Sequence, residues 1–153
     1  MPAEMFGNLP LGSGCRLLLV LAPAGSERAE WLRRWAAGDQ APVAWVALDA
    51  ADNDPARFLA RVRGALEGAA DQKLDGAGCE AIELLNALAG LEAPQLVLVV
   101  ENYHVIKAAA VHAIVQLMLD YPPPGLLIVL LSQSMPPLEL ARLRVRRQMV
   151  EVR

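Results

Sequence analysis

Short, uninterrupted apolar runs constrain the fold of this chain more than any other feature of its sequence. Four such runs have the length of a β-strand: 16–21 (RLLLVL), 43–48 (VAWVAL), 96–100 (LVLVV) and 126–131 (LLIVLL). A final strand is predicted near 149–152 (MVEV). A strand that is covered on both faces is apolar throughout, whereas a strand with one solvated face alternates between apolar and polar residues. The runs alternate with segments of helical periodicity. This pattern predicts an α/β domain of three layers with a mostly parallel five-stranded sheet.

The segments between the runs carry helix signals. A helix that begins at Ser26 and ends at Gly38 would place Trp31, Leu32 and Trp35 on its apolar face and turn Arg33 and Arg34 outward. Asp54 followed by Pro55 predicts a capped helix start. The inward face of that helix would carry Phe58, Leu59, Val62 and Leu66, and an exposed loop is expected over 64–78. A third helix would turn Ile82, Leu85 and Leu88 inward. Two more helices are expected, over 108–121 and 138–143. Residues 1–14 are predicted to be a flexible lead-in, and residues 15–153 a single domain.

Composition and charge narrow the classes of function. The chain is 55% hydrophobic and has a formal net charge of −3, which argues against disorder and against a general attraction to nucleic acid. The apolar runs are too short to span a bilayer, and the N-terminal segment lacks the pattern of a signal peptide. We therefore expect a cytoplasmic protein with no membrane contact and no direct nucleic-acid binding.

The first strand leads into a turn where a phosphate-binding loop would lie, on the plan strand–GxxxxGK[ST]–helix. Residues 22–29 read APAGSERA, so Gly25 and Ser26 are followed by Glu27, Arg28 and Ala29 instead of glycine, lysine and a hydroxyl residue. Two like charges about 4 Å apart repel by ~4 kcal/mol at an effective dielectric near 20, so Glu27 opposes phosphate binding. Arg28 does not replace a lysine at a tight phosphate site, and Ala29 lacks the hydroxyl that would hold magnesium.

Polar residues also follow the other buried strands. Asp49 comes after the second run, Glu101–Asn102–Tyr103–His104 after the third, and 132–134 (SQS) after the fourth. Ligands of parallel α/β sheets collect at the carboxyl ends of the strands. Together with the turn at 22–26, these strand ends form the candidate site.

Four phrases together resemble one known family: APAGS at 22–26, VAWVALDAADNDPARFL at 43–59, LVLVVENYHVI at 96–106 and LLSQSMPPLELARLR at 130–144. The chain resembles, from about residue 16 to residue 153, the nucleotide-binding domain of the MalT-like STAND ATPases, which occurs in LuxR-type bacterial transcriptional regulators. The resemblance implies a P-loop-NTPase-like (RecA/STAND-like) fold with the strand order 5-1-4-3-2.

The chain departs from the family's pattern at three places that would handle phosphate or magnesium. The family's first motif resembles APAGSGKTTL, its acidic strand ends in two aspartates, and its sensor strand ends near Ser-Arg-Ser. The relic positions of the site in this chain are Gly25, Ser26, Glu27, Arg28, Ala29, Glu101, Asn102 and Gln133. We expect no catalytic residue, no metal ion and no cofactor at these positions.

The resemblance and the departures together predict a non-catalytic pseudo-ATPase domain with a regulatory or protein-interaction role. Its expected partner is another protein or the adjacent domains of a larger regulator. Two alternatives stay open. One is a residual signalling ATPase domain that binds ATP and Mg²⁺, and the other is a free-standing inhibitor analogous to the SulA-like cell-division inhibitors, which rests on fold analogy alone.

The remaining candidate residues are predicted to have structural roles. His104 and His112 are the only histidines, and packing or hydrogen bonding explains them better than catalysis. Cys15 and Cys79 lack the spacing of a zinc site or a disulfide framework. A basic run near the C-terminus is predicted to be a solvated edge or a contact surface for a following domain: Arg142, Arg144, Arg146 and Arg147.

Overall fold

Five strands pair in parallel at the centre of the computed structural model, which describes residues 14–23, 25–37, 41–74, 81–90 and 95–153. The strands are β1 (Leu17–Leu21), β2 (Val43–Ala47), β3 (Leu96–Glu101), β4 (Leu126–Ser132) and β5 (Met149–Val152). The helices are α1 (Glu27–Ala36), α2 (Pro55–Ala70), α3 (Ala81–Ala89), α4 (Ala109–Asp120) and α5 (Ala141–Val145). Among the described residues, no helix has the length and apolarity needed to cross a membrane.

The strand order is β2-β3-β4-β1-β5, which is the predicted order 5-1-4-3-2 read from the other edge. All four strand pairings are parallel, and Val20 of β1 lies between Leu131 of β4 and Val152 of β5. Because β3, β4 and β1 are neighbours, their carboxyl ends meet at one edge of the sheet. That edge carries all three segments at which the chain departs from the family's pattern, which we call the altered motifs.

Two separate hydrophobic cores lie on the two faces of the sheet. Leu17 and Leu19 of β1 face the larger core, to which α2, α3 and α4 contribute, while Leu18 and Val20 face a smaller core that includes residues of α1. Successive side chains of a strand point to opposite faces, so a strand buried on both faces must be apolar throughout. The three layers predicted from the apolar runs are therefore confirmed.

The start of α2 is as predicted, but its end is not. The Asp54 carboxylate accepts a hydrogen bond from the Ala56 N–H at 3.1 Å, and Pro55 occupies the first helical position. The prediction of an exposed loop over 64–78 is wrong at its beginning, because Gly64 and Gly68 lie inside the helix. An interior glycine costs a helix about 1 kcal/mol relative to alanine. Burial of the apolar face that includes Leu66 outweighs that cost.

Two further details of the helices differ from the predictions. The side of α3 that faces the core carries Leu84, Leu85 and Leu88, whereas Ile82 is 56% exposed, so the predicted inward position of Ile82 is wrong. The last helix covers Ala141–Val145 instead of 138–143. The predicted end of α1 at Gly38 and most of the 1–14 lead-in lie outside the described residues.

The connection between β2 and α2 contains a buried carboxylate. A short 3₁₀ helix, Ala50–Asn53, fills the connection, and the Asp52 side chain within it is fully buried. Arg57 donates to one oxygen of this carboxylate at 3.2 Å, while Arg61 and the Asp49 N–H (2.9 Å) donate to the other. A buried charge is tolerated when it is paired and hydrogen-bonded in this way.

The neighbouring residue, Asn53, joins this connection to the segment that follows β3. Its amide nitrogen donates to the Val105 carbonyl at 3.1 Å, and its amide oxygen accepts the N–H groups of Lys107 (2.6 Å) and Ala108 (2.8 Å). One side chain therefore holds the start of α4 against the start of α2. This fixes the position of the loop that carries His104.

We predict that Asp52→Asn lowers the free energy of unfolding by about 2–3 kcal/mol, since charge-assisted hydrogen bonds of two arginines lose their acceptor. Both arginines are partly exposed and can be rehydrated, which keeps the loss below that of a fully buried pair. Urea unfolding measures the change. Asp71→Asn is the matched control, because Asp71 is exposed and its left-handed backbone (φ 51°) suits asparagine. A loss as small as that of the control would contradict the buried-pair interpretation.

Candidate functional site

The structure brings the three altered motifs together at the carboxyl edge of the sheet. Six of the eight predicted site positions line one small cleft: Gly25, Ser26, Ala29, Glu101, Asn102 and Gln133. Glu27 and Arg28 belong to the first turn of α1 and are not among the described lining residues. The structure therefore groups six of the predicted positions, although the grouping does not by itself show that they bind a ligand.

The turn before α1 is occupied by the protein's own side chain. Ser26 is the N-cap of α1, and its hydroxyl accepts a hydrogen bond from the Ala29 N–H at 3.3 Å. A phosphate loop would present such N–H groups to the anion. Glu27 and Glu30 lie in the first turn of the helix, where carboxylates complement the helix dipole by about 0.3–1 kcal/mol each. Gly25 adopts φ +74°, a left-handed conformation that favours glycine.

A set of three side chains, which we name the Glu101 clasp, closes the site on the α1 side of the sheet. Glu101 ends β3, and its carboxylate accepts hydrogen bonds from the Arg33 guanidinium of α1 and from the indole N–H of Trp45 in β2, at 3.1 Å in the second case. The Arg33 guanidinium also lies 5.8 Å from the centre of the Trp45 ring, within the range of a cation–π contact. Arg33, Trp45 and Glu101 thus contact one another in all three pairs.

Both oxygens of the Glu101 carboxylate are used in the clasp, Oε1 by Trp45 and Oε2 by Arg33. The Glu101 side chain is only 14% exposed, while that of Arg33 is 46% exposed. A metal ion that approached Glu101 would have to displace a guanidinium that already neutralises its charge. Charge-assisted hydrogen bonds of this kind are roughly twice as strong as neutral ones.

Sequence reasoning placed Arg33 on the outer face of α1 and did not connect it to Glu101. The two residues are 68 positions apart, so no local pattern joins them. The sequence contained only a weak indication of this contact, an arginine two turns into α1 and a glutamate at the end of a buried strand. Only the packing of α1 over β2 and β3 turns that combination into a contact.

The cleft that these residues line is small. Its volume is about 30 Å³, whereas binding sites for small molecules measure about 300–1,000 Å³.

The far wall of the cleft consists of residues after β3 and β4. Asn102 adopts a left-handed backbone conformation (φ 63°), which asparagine tolerates better than most residues do. The Gln133 N–H donates to Nδ1 of His104 at 3.4 Å. His104 therefore makes the loop hydrogen bond that its position in the sequence predicted, and its proton in the neutral form lies on Nε2.

The other sequence candidates have structural surroundings. His112 hydrogen-bonds through Nδ1 to the Tyr103 hydroxyl at 2.7 Å. Cys15 is half-buried, and burial raises the pKa of its thiol, while Cys79 lies outside the described residues. Within the described ranges, no three metal-binding side chains are close enough together to hold an ion. The four arginines of the C-terminal run are exposed, and Arg144 pairs with Glu151 at 2.8 Å.

Comparison with known proteins identifies relatives in one group of regulators. The chain is 34% identical over 149 residues to the HTH-type transcriptional regulator MalT of Yersinia enterocolitica, an alignment that covers 90% of this chain and 16% of that protein. It is 35% identical to MalT of Serratia proteamaculans, over 97% of this chain and 18% of that protein. The chain therefore spans less than a fifth of the length of these curated relatives. No protein-family model matches it.

Solved structures of similar fold come from more distant proteins. A chain in the structure of Drosophila ORC bound to DNA superposes with a TM-score of 0.59 at 14% identity, covering 97% of this chain and 86% of that one. A chain in the structure of Drosophila ORC bound to AT-rich DNA and Cdc6 gives a TM-score of 0.58, also at 14% identity, over 93% of this chain and 49% of that chain. At such identity the likeness concerns the fold alone, a P-loop-NTPase-like α/β domain. Together with the MalT alignments, it identifies this chain as a relative, over nearly its whole length, of one domain-sized part of the MalT-type transcriptional regulators.

Proposed function

We propose that this domain is a non-catalytic counterpart of the ATPase module of MalT-type regulators, and that it works through protein contacts instead of nucleotide hydrolysis. The observation that carries the proposal is the Glu101 clasp. The carboxylate that would hold magnesium is bound on both oxygens by Arg33 and Trp45. The guanidinium supplies the positive charge that a metal ion would otherwise bring.

The phosphate side of the site supports the same proposal. Glu27 replaces a glycine beside the anion position, and Ala29 offers no hydroxyl for magnesium. The Ser26 side chain uses the Ala29 N–H, so one donor of the helix start is already satisfied. If each loss costs ~1–2 kcal/mol, three of them lower the affinity by more than about a hundredfold.

The proposed partner is another protein or the adjacent domains of a larger regulator. A surface for such contacts is available at α5, where Val145 is largely exposed and Arg142 and Arg146 lie on the surface. An exposed apolar side chain flanked by charges is a common composition for an interface between domains. The residual ATP-binding alternative makes the opposite prediction for ligand stabilisation, so one measurement separates the two.

We predict that millimolar Mg-ATP does not raise the midpoint of thermal unfolding. A ligand present at 100 times its Kd would stabilise the native state by about 2.7 kcal/mol, which is roughly 5–10 °C for a domain of this size. Magnesium sulfate at the same ionic strength is the control for general anion effects, because it lacks the triphosphate chain that a phosphate loop binds. A rise with Mg-ATP that exceeds the rise with this control would refute the loss of the nucleotide site.

We predict that the clasp stabilises the fold. Arg33→Ala leaves the nearly buried Glu101 carboxylate with one fewer donor and should cost about 1–2 kcal/mol in urea unfolding. Arg34→Ala removes the neighbouring exposed arginine of the same helix and serves as the matched control, with an expected change below about 0.5 kcal/mol. Equal changes in the free energy of unfolding for the two substitutions would mean that the clasp does not stabilise the fold.

We predict that repair of the loop alone does not restore nucleotide binding. The combination Glu27→Gly, Arg28→Lys and Ala29→Thr rebuilds the phosphate loop but leaves Glu101 in the clasp. Adding Arg33→Ala should free the carboxylate and produce binding of Mg-ATP that is measurable by calorimetry, whereas adding Arg34→Ala to the same loop repair should not. Circular dichroism verifies that each variant is folded. Tight binding of Mg-ATP by the variant that carries only the three loop substitutions would show that the clasp does not prevent nucleotide binding.

A further inference from the structure

A second and much larger cavity lies between the start of α4 and the segment that follows β4, beside the small cleft that the relic positions line (the relic cleft). Its volume is about 650 Å³, within the range of about 300–1,000 Å³ that is typical of sites for small molecules. His104 and Ser132 border both this cavity and the relic cleft. The larger cavity is otherwise separate, because it contains no residue of the turn before α1.

Hydrogen bonds between its own walls hold this cavity open. The Gln116 amide bonds both backbone groups of Glu139, accepting from its N–H at 2.7 Å and donating to its carbonyl at 3.1 Å. This pair fixes the segment after β4 against α4. One turn earlier in α4, Nδ1 of His112 hydrogen-bonds to the buried Tyr103 hydroxyl at 2.7 Å. Burial raises the pKa of Tyr103 far above its usual value, so the phenol stays protonated and donates this hydrogen bond.

Three polar side chains of the lining have charged or hydrogen-bonding groups that no contact described above uses. Lys107 and Glu139 are its charged residues, one of each sign, and neither side chain has an ion-pair partner in the part of the chain that the structure describes. His104 accepts the Gln133 N–H at Nδ1, so its Nε2–H is available as a donor. The cavity therefore offers an ammonium and an imidazole N–H, which suit an anion, and a carboxylate, which suits a cation.

Apart from Ser132 and Ser134, the rest of the lining is apolar. It consists of Ile106, Ala109, Ala113, Met135, Pro136 and Pro137. The apolar side chain of Met135 is exposed, and its burial under an apolar ligand would be favourable. A flexible thioether beside two prolines gives a surface that adapts to branched apolar groups.

We propose that this cavity binds a small zwitterion of about dipeptide size with apolar side chains. The carboxylate of the ligand pairs with Lys107 and the Nε2–H of His104, its ammonium pairs with Glu139, and its side chains cover Met135 and the adjacent prolines. Neither a purely apolar molecule nor a simple anion satisfies both charged residues. This site is independent of the nucleotide question, because none of the altered loop residues takes part in it.

Leucyl-leucine is the probe that tests the proposal, and the two histidine rings are the reporters. The chain has only two histidines, and both line the cavity. At pH 7 the peptide is mostly zwitterionic, since α-amino groups have pKa values of about 7.7–8.0. Titration followed by NMR should shift both imidazole signals saturably with one Kd, and single His104→Gln and His112→Gln variants assign the signals.

End-blocked peptides and matched variants test the charge pairing. N-acetyl-leucyl-leucine lacks the ammonium and leucyl-leucinamide lacks the carboxylate, so each should bind about tenfold more weakly or worse. Glu139→Gln and Lys107→Met should each weaken the binding of leucyl-leucine by the same factor. Lys73→Met, at an exposed lysine outside the cavity, should leave the Kd unchanged. The Lys107 and Glu139 side chains are exposed and their backbone hydrogen bonds remain, so these variants fold.

Three results would overturn the proposal. One is the absence of saturable shifts with millimolar leucyl-leucine in the unmodified protein. Another is equal binding of the blocked and unblocked peptides, which would indicate apolar adsorption without charge recognition. The third is binding of free leucine as tight as that of the dipeptide, because the volume of the cavity then plays no part in selection.

Discussion

Burial of the sheet on both of its faces is the constraint on which the rest of the structure depends. The central strands send alternate residues into two different cores, so that Leu17 and Leu19 lie with α2 and α4 while Leu18 and Val20 lie with α1. No position in the middle of β1 or β4 can then be polar without leaving an unpaired group in an apolar layer. Polar chemistry is restricted to the strand ends. This is why the phosphate loop, Glu101 and Gln133 occur where they do.

The connection between β2 and α2 shows how the same constraint shapes a loop. The phrase LDAADNDPARFL begins with buried Leu48 and supplies Asp52 to two arginines, Asn53 to the start of α4 and Asp54 to the N-terminus of α2. Each polar residue satisfies backbone or charged groups that folding would otherwise leave unpaired. The phrase is therefore distinctive for structural reasons, and no binding role is needed to explain it.

The sequence predicted the layers, the parallel sheet and the cleft because each of these follows from local pattern or from the family resemblance. It did not predict the length of α2, because two glycines suggested a loop, although Leu66 was correctly predicted to face inward. It placed Ile82 inward, since a helix of nine residues offers two apolar stripes and only the neighbouring α4 decides between them. The link between Arg33 and Glu101 joins residues far apart in the chain, and it needed coordinates.

The clasp shows how the fold tolerates a carboxylate at this edge of the sheet without a bound ligand. A carboxylate at the end of a central strand is costly when neither metal nor water neutralises it. Arg33 provides that neutralisation from within the chain, so the charge of Glu101 is balanced by the protein itself. The segment after β4 is held separately, by the hydrogen bonds of Gln116, and lines the larger cavity. Under our two proposals, the same edge of the sheet would lose one ligand and retain the geometry to bind another.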